Sequence, residues 1–333
     1  MVSNTHDRLP IASLADLLAA VPYLLGFHPT DSLVVIGLTG RKVTVAGRTD
    51  LPRRADLPTW LDGISRQQLA MLRNVAATTA IVVGYGHAAD VTPVVDALTP
   101  RLHTAGVTIL DALRVTDSRY YSYQCHDPRC CPVEGVAFDP VHSAVAVHAV
   151  VAGQAALPDR AALVASVAPI AGAARTAMTA ATRRAQERHF TALSAGGRAA
   201  VIRAGRKAVR ETFARYADDR VLTDEEAAWL SVLLADDAVR DVAWQATDTA
   251  PWHLALWTDL TRRAEPAFAA APATLLAFTA WRQGLGALAS VALDRALDAD
   301  AHYSLAQLID RALRDGIPPT VLDGWPATGN HTA

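Results

Sequence analysis

The stretch Thr78-Thr79-Ala80-Ile81-Val82-Val83-Gly84-Tyr85-Gly86-His87 passes from an unbroken apolar run into a glycine loop. A continuous β-branched run from Thr78 to Gly84 reads as a strand buried on both faces, because neither alternate position is polar. Residues from about Ala89 to Thr104 then read as a helix, and Gly106 leads into a second apolar strand, Val107 to Val115. A helix joining two such strands implies a β-α-β unit with parallel strands. In such a unit ligands collect at the carboxyl ends of the strands, which directs attention to the Gly84–His87 loop. The Gly-x-Gly there lacks the third glycine of a dinucleotide fingerprint, and Asp111 falls inside the next strand rather than after it.

Upstream, Ser13 and Asp16 form a capping-box-like start, with Leu14, Leu17, Leu18, Val21 and Leu25 at helical spacing and Gly26 as the C-terminal cap. Ser32 to Leu38 reads as a buried strand. A turn at Gly40-Arg41 and alternation over Lys42 to Arg48 make a hairpin of it, and Pro58 to Asn74 reads as a helix. His28, Asp31, Arg48 and Asp50 sit near the ends of these strands. Polar residues are the ordinary state of loops, so the expectation is an Arg48–Asp50 surface ion pair, with ligand or partner contact as the alternative.

Downstream, Arg119 to Gln124 alternates as a strand, with Tyr120 and Ser122 on one face and Tyr121 and Tyr123 on the other. Sheet packing is the expected role of these tyrosines, while Arg114 and Arg119 beside them could also stack on a base or peptide. All three cysteines follow at once, in Gln124-Cys125-His126-Asp127-Pro128-Arg129-Cys130-Cys131-Pro132. Structural zinc sites usually present two close pairs, and here there is one cluster; adjacent side chains of an extended segment also point to opposite faces. The favoured expectation is therefore buried, metal-free packing of Cys125, Cys130 and Cys131 in a turn set by Pro128 and Pro132. The alternatives are a zinc site using those cysteines with His126 or a more distant His87, His103 or His142, and a redox-active thiol pair.

Two patterns together, Leu24-Leu25-Gly26-Phe27-His28-Pro29-Thr30-Asp31-Ser32-Leu33-Val34-Val35 and the tyrosine-cysteine cluster, resemble the actinobacterial family called domain of unknown function 4192. The resemblance is strongest over Leu14 to Pro52 and Leu113 to Gly135. It implies a shared fold and an actinobacterial, cytoplasmic protein, and it supplies no catalytic residues.

After Gly135 a helix is expected over Val141 to Ala152. From Arg160 onward strands vanish and alanine, leucine and arginine recur at helical spacing. Gly196-Gly197 separates a helix ending near Ala192 from one over Arg198 to Tyr216, and Thr223 with Glu226 caps another that runs to Leu234. Trp229, Trp244, Trp252 and Trp257 are expected to pack between helices. Thr274 to Asp315 reads as a helix-turn-helix similar to one tetratricopeptide unit, with an ordinary helical bundle as the alternative. The expected organisation is an α/β domain with a mixed sheet over residues 1–157, an all-α domain over 158–326 and a disordered tail, 327–333. Between Arg175 and Tyr216 ten basic residues face two acidic ones, and Arg203, Arg206 and Arg210 share a helical face. The acidic segment after it, Asp218 to Asp248, is the expected partner of this excess, with an anionic ligand as the alternative.

A chain of 333 residues, 51% hydrophobic and 19% charged, can bury two cores. A formal net charge of -2 argues against a protein built wholly to bind polyanions. Asp16 and Pro22 interrupt the first apolar run and Pro266, Pro272 and Arg282 the last, so neither a leader peptide nor a membrane span is expected. No Walker loop, Gly-x-Ser-x-Gly elbow or His-Glu-x-x-His helix occurs. The leading expectation is a cytoplasmic binding or scaffold protein with no cofactor, docking a protein partner or a second copy through its helical domain. An enzyme acting on a small or nucleotide-like substrate, using His28, Asp31, His87, Arg114 and Arg119, is the second reading. Nucleic-acid binding through the basic helices is the third.

Overall fold

The computed structural model describes residues 11–40 and 42–324. Arg41 of the expected hairpin turn and the tail from residue 327 lie outside the described residues. Two compact units divide the chain. The first runs to Leu163 and takes in Arg314–Pro318, and the second covers Val164–Leu313 and the chain from Pro319.

In the first unit the elements are α1 (Leu14–Leu25), β1 (Ser32–Thr39), β2 (Lys42–Asp50), α2 (Leu57–Asn74), β3 (Thr79–Tyr85), α3 (Ala88–Thr104), β4 (Thr108–Thr116), β5 (Arg119–Ser122), β6 (Val136–Ala137) and α4 (Ala144–Val151). The six strands form one mixed sheet in the order β2-β1-β3-β4-β5-β6. Only β3 and β4 run parallel, as the helical crossover between them requires, and every other pair is antiparallel.

Alternation along the strands assigns the two faces. Leu33, Val35, Ala80, Val82 and Ala112 pack with Leu61, Leu72, Val91, Val95, Leu98 and Leu102 of α2 and α3. The opposite side chains Val34, Ile36, Ile81, Val83, Leu113 and Val115 are buried too, which explains why β1 and β3 read as unbroken apolar runs. On α1, Ser13 and Asp16 complete the capping box, and Gly26 ends the helix at φ 82°. Tyr23 of α1 packs on Ala146 and Ala149 of α4. That helix starts later than expected, because Ser143 caps it by accepting from the Ala146 N–H.

Two local features fix how β3 and β4 meet the helices that cover them. Gly84 lies so close to α3 that a Cβ there would stand 2.1 Å from Val91 Cγ1. The first glycine of the loop thus serves helix-on-sheet packing. In β4 the register shifts between the pairs Ala80↔Ile109 and Ile81↔Asp111, leaving Leu110 as a bulge. In a regular strand Ile109 and Asp111, two positions apart, would share a face; the bulge lets Ile109 pack on the α2–α3 core while Asp111 lies on the opposite face.

Helix α5 (Arg160–Ser166) spans the division between the units. The second unit is helical: α6 (Gly172–Ala217), α7 (Asp224–Leu233), α8 (Asp237–Ala246), α9 (Pro251–Arg263), α10 (Ala270–Arg282), α11 (Gly286–Ala299) and α12 (Ser304–Arg314). Helical geometry breaks inside α6 at Gly196 and Gly197, where the sequence placed a separation. Thr223 and Glu226 make the expected capping box of α7. Trp229 and Trp257 are buried, whereas Trp244 and Trp252 are half-buried. Among the described residues no helix is long and apolar enough to cross a membrane.

Candidate functional site

The site is the loop between β5 and β6, residues 123–135, at one edge of the sheet. Asp127 starts its turn: the Asp127 carbonyl accepts from the N–H groups of Cys130 at 3.2 Å and Cys131 at 2.8 Å. Pro128 occupies the next position, where its fixed φ favours such a turn. The Asp127 carboxylate accepts from the Arg129 N–H at 3.0 Å and from the Arg129 guanidinium at 2.7 Å, which holds the carboxyl below its usual range. A second turn closes the loop, with the Gly135 N–H donating to the Pro132 carbonyl at 2.9 Å. Gly135 has φ 78°, and a Cβ there would meet the Tyr121 ring at 2.7 Å, so both conformation and space require glycine. Arg119 donates to the Gly135 carbonyl at 2.7 Å and the Glu134 carbonyl at 3.2 Å, tying the loop back to β5.

This folding brings three sulfurs together. The Sγ atoms of Cys125, Cys130 and Cys131 all lie within 4.8 Å of one another, and Cys125 and Cys130 are 3.2 Å apart. Cys130 is exposed and the other two are half-buried. The expectation of buried cysteines is therefore wrong: His126, Pro128, Arg129, Val133 and Glu134 around them are exposed, and the sulfurs face one another rather than a core. The objection to two adjacent cysteines serving one centre also fails, because Cys130 and Cys131 lie in a tight turn and not in an extended segment.

Hydrogen bonding within the cluster shifts the three thiols in different directions. Hydrogen bonds from the Cys131 and Cys130 thiols and from the Asp127 backbone hold the Cys125 thiol below its ordinary range. By the same contacts Cys130 is raised and Cys131 is pushed up to about 12. Of the three, Cys125 gives up its proton most readily. A tetrahedral zinc ion bonds sulfur at about 2.3 Å, which sets its sulfurs about 3.8 Å apart. The 3.2 Å contact and the 4.8 Å limit bracket that separation, so the three sulfurs fit a thiophilic ion. His126 lies outside this group, and His142 is taken up by Asp139 at 3.1 Å.

Behind the sulfurs stands a support that sequence reasoning missed. The Ser122 hydroxyl accepts from the N–H groups of Cys125 at 2.9 Å and Gln124 at 3.1 Å, and donates to the Asp111 carboxylate at 2.7 Å. Burial raises the Asp111 carboxyl above its ordinary range, opposed by the hydrogen bonds from Ser122 and the Ala112 N–H. Tyr120, on the same face, is raised by burial and then by the charges of Cys131, Asp111 and Cys130. An acidic residue inside the apolar run Val107–Val115 was the available signal.

A match to the family model "Domain of unknown function (DUF4192)" covers residues 15–320. The chain belongs to the DUF4192 family. No curated protein and no solved structure matches it.

The other polar residues of this DUF4192 chain are engaged separately. Arg48 pairs with Asp50 at 2.6 Å and lies over the Phe27 ring. Burial lowers the half-buried His28. Asp31 adopts φ 44°, its carbonyl accepting from the Leu51 N–H, and its carboxylate lies beside Gly86. His87 is exposed at the start of α3. Arg114 stacks on Tyr121 with its guanidinium carbon 3.8 Å from the ring centroid, and Tyr123 shares a hydrogen bond with Thr92 at 2.8 Å. In the helical unit Arg184 pairs with Glu225, Arg198 with Asp236 and Arg215 with Glu226, so part of the basic excess meets the acidic segment as expected. Arg203, Arg206 and Arg210 are exposed on α6.

Proposed function

We propose that the α/β unit of this DUF4192 protein is a metal-binding module in which Cys125, Cys130 and Cys131 hold a thiophilic divalent ion, with zinc the best fit. The convergence of the three sulfurs on one exposed turn carries this reading. Three thiolates bound to an ion of charge +2 need no apolar cover, whereas three free thiols gathered at a surface gain little from packing. Ser122 and Asp111 support the ligand loop as outer hydrogen-bonding groups support metal ligands generally. A cytoplasmic setting suits the reading, since reduced thiols persist there. The helical unit then supplies the surface for a protein partner or a second copy. The packed helices α10 and α11, with Ala289, Ala292 and Ala296 buried, support a tetratricopeptide-like docking role.

The enzyme reading draws less support. Arg114 is stacked on Tyr121, Arg119 holds loop carbonyls, and His87 faces solvent at a helix start. Metal analysis of the full chain purified without chelator tests the proposal. About one zinc per chain is expected, lost in Cys130→Ala, together with thiolate-to-metal absorption on cobalt substitution. A chain that retains no zinc and gives no such absorption with cobalt overturns it.

A further inference from the structure

Two observations on the cysteine loop go beyond ligand count. The sulfurs of Cys125 and Cys130 are in contact at 3.2 Å, with four residues between them in a turn held by the Asp127 carbonyl. Their exposures also differ, Cys130 being open to solvent and Cys125 half-buried. Where all three sulfurs are metal-bound they are all thiolates, so access decides which one an oxidant meets first. A disulfide needs its sulfurs at about 2.05 Å, and closing a contact already made inside one short turn requires little movement of the chain.

We infer that the site is emptied by peroxide: Cys130 is oxidised first, Cys125 closes a disulfide onto it, and the metal leaves. This rests on the metal-binding reading above. In the first step the Cys130 sulfur attacks hydrogen peroxide, the O–O bond breaks, and a sulfenic acid forms with loss of hydroxide, which takes up a proton as water. In the second step the Cys125 sulfur attacks the Cys130 sulfur, the S–O bond breaks and a second water leaves. Two electrons pass from the two thiolates to one peroxide, two protons are consumed and two waters form. Cys131 alone remains as a ligand, and one thiolate does not hold the ion. Reduction by a dithiol restores both sulfurs and the site with them.

The test uses the full chain loaded with zinc and treated with hydrogen peroxide in the presence of a chromophoric zinc chelator. Free thiols are counted after denaturation with chelator, and the cysteine peptides are mapped by mass. The expected result is release of the bound zinc in step with a fall from three thiols to about one per chain and a Cys125–Cys130 linked peptide, all reversed by dithiothreitol. Cys131→Ser is expected to form the same linked peptide, and Cys130→Ser to slow disulfide formation at least about tenfold. Zinc bound at one per chain but released without a disulfide, or with sulfinic acid on separate cysteines, overturns the inference and leaves the metal reading standing. A linked peptide from a chain that never bound zinc overturns the metal reading and the release step, while the thiol chemistry stands.

Discussion

Replacing Ser122 by Ala removes a hydroxyl that joins the cysteine loop to the sheet. Three hydrogen bonds go with it: from the Gln124 N–H at 3.1 Å, from the Cys125 N–H at 2.9 Å, and to Asp111 at 2.7 Å. They are not equal. Gln124 is exposed, so water replaces the hydroxyl there at almost no cost. Cys125 and Asp111 are half-buried, and each loses about 1 kcal/mol of net stabilisation, which gives about 2 kcal/mol in all. Because metal binding needs the loop in its ordered form, the loss is expected in affinity, at about thirty-fold weaker binding. That falls within the range seen for outer hydrogen-bonding partners of metal ligands. Competition for zinc against a chromophoric chelator reads the affinity, and thermal unfolding of the metal-free chain reports any loss in the fold itself. Ser122→Thr keeps the hydroxyl at a strand position and is expected to bind within about threefold of the parent. A Ser122→Ala chain that binds one zinc with affinity within about twofold of the parent refutes the coupling of this hydroxyl to the site.

Asp111→Asn keeps an acceptor for Ser122 and removes a titrating group. Burial raises the Asp111 carboxyl in the folded chain, so the folded state holds that proton more tightly than the unfolded one, and stability falls as pH rises from the ordinary carboxylate range through the raised value. Urea unfolding of both chains at a series of pH values is expected to show Asn relatively more stable toward neutral pH, and a difference curve that stays flat through the acid range contradicts this. Gly84→Ala places a Cβ 2.1 Å from Val91 Cγ1 and is expected to cost about 1–3 kcal/mol in chemical denaturation. Adding Val91→Ala is expected to return part of that loss as a favourable coupling between the two sites, and strictly additive effects would show that the contact is not the cause.

Much of the architecture was legible in the chain because it depends on local rules. The β-branched runs at Ser32–Leu38 and Thr78–Gly84, the capping boxes at Ser13 and Thr223 and the break at Gly196-Gly197 each declare themselves within a few residues, and each stands where the sequence placed it. The parallel pairing of β3 with β4 came from the helix that joins them. Sequence also singled out Cys125, Cys130 and Cys131, since nothing else in the chain gathers soft side chains so closely.

That the three sulfurs converge was decided only by tertiary structure. Whether adjacent cysteines diverge or converge depends on the backbone between them, and the Asp127 carbonyl, by accepting from both Cys130 and Cys131, turns the segment enough to face the sulfurs together. The role of Ser122 depends on a bulge at Leu110 in a different strand, which carries Asp111 to the face where it meets the serine hydroxyl. Burial of the loop is set in the same way. A run of small soft residues looks like core in sequence, but whether anything covers it depends on the elements around it, and this loop leaves the sheet beside a two-residue edge strand, with His126, Arg129, Val133 and Glu134 exposed around the cysteines. Spacing along a chain fixes what neighbours in sequence can do together; the convergence of residues from separate strands and turns is a property of the folded backbone alone.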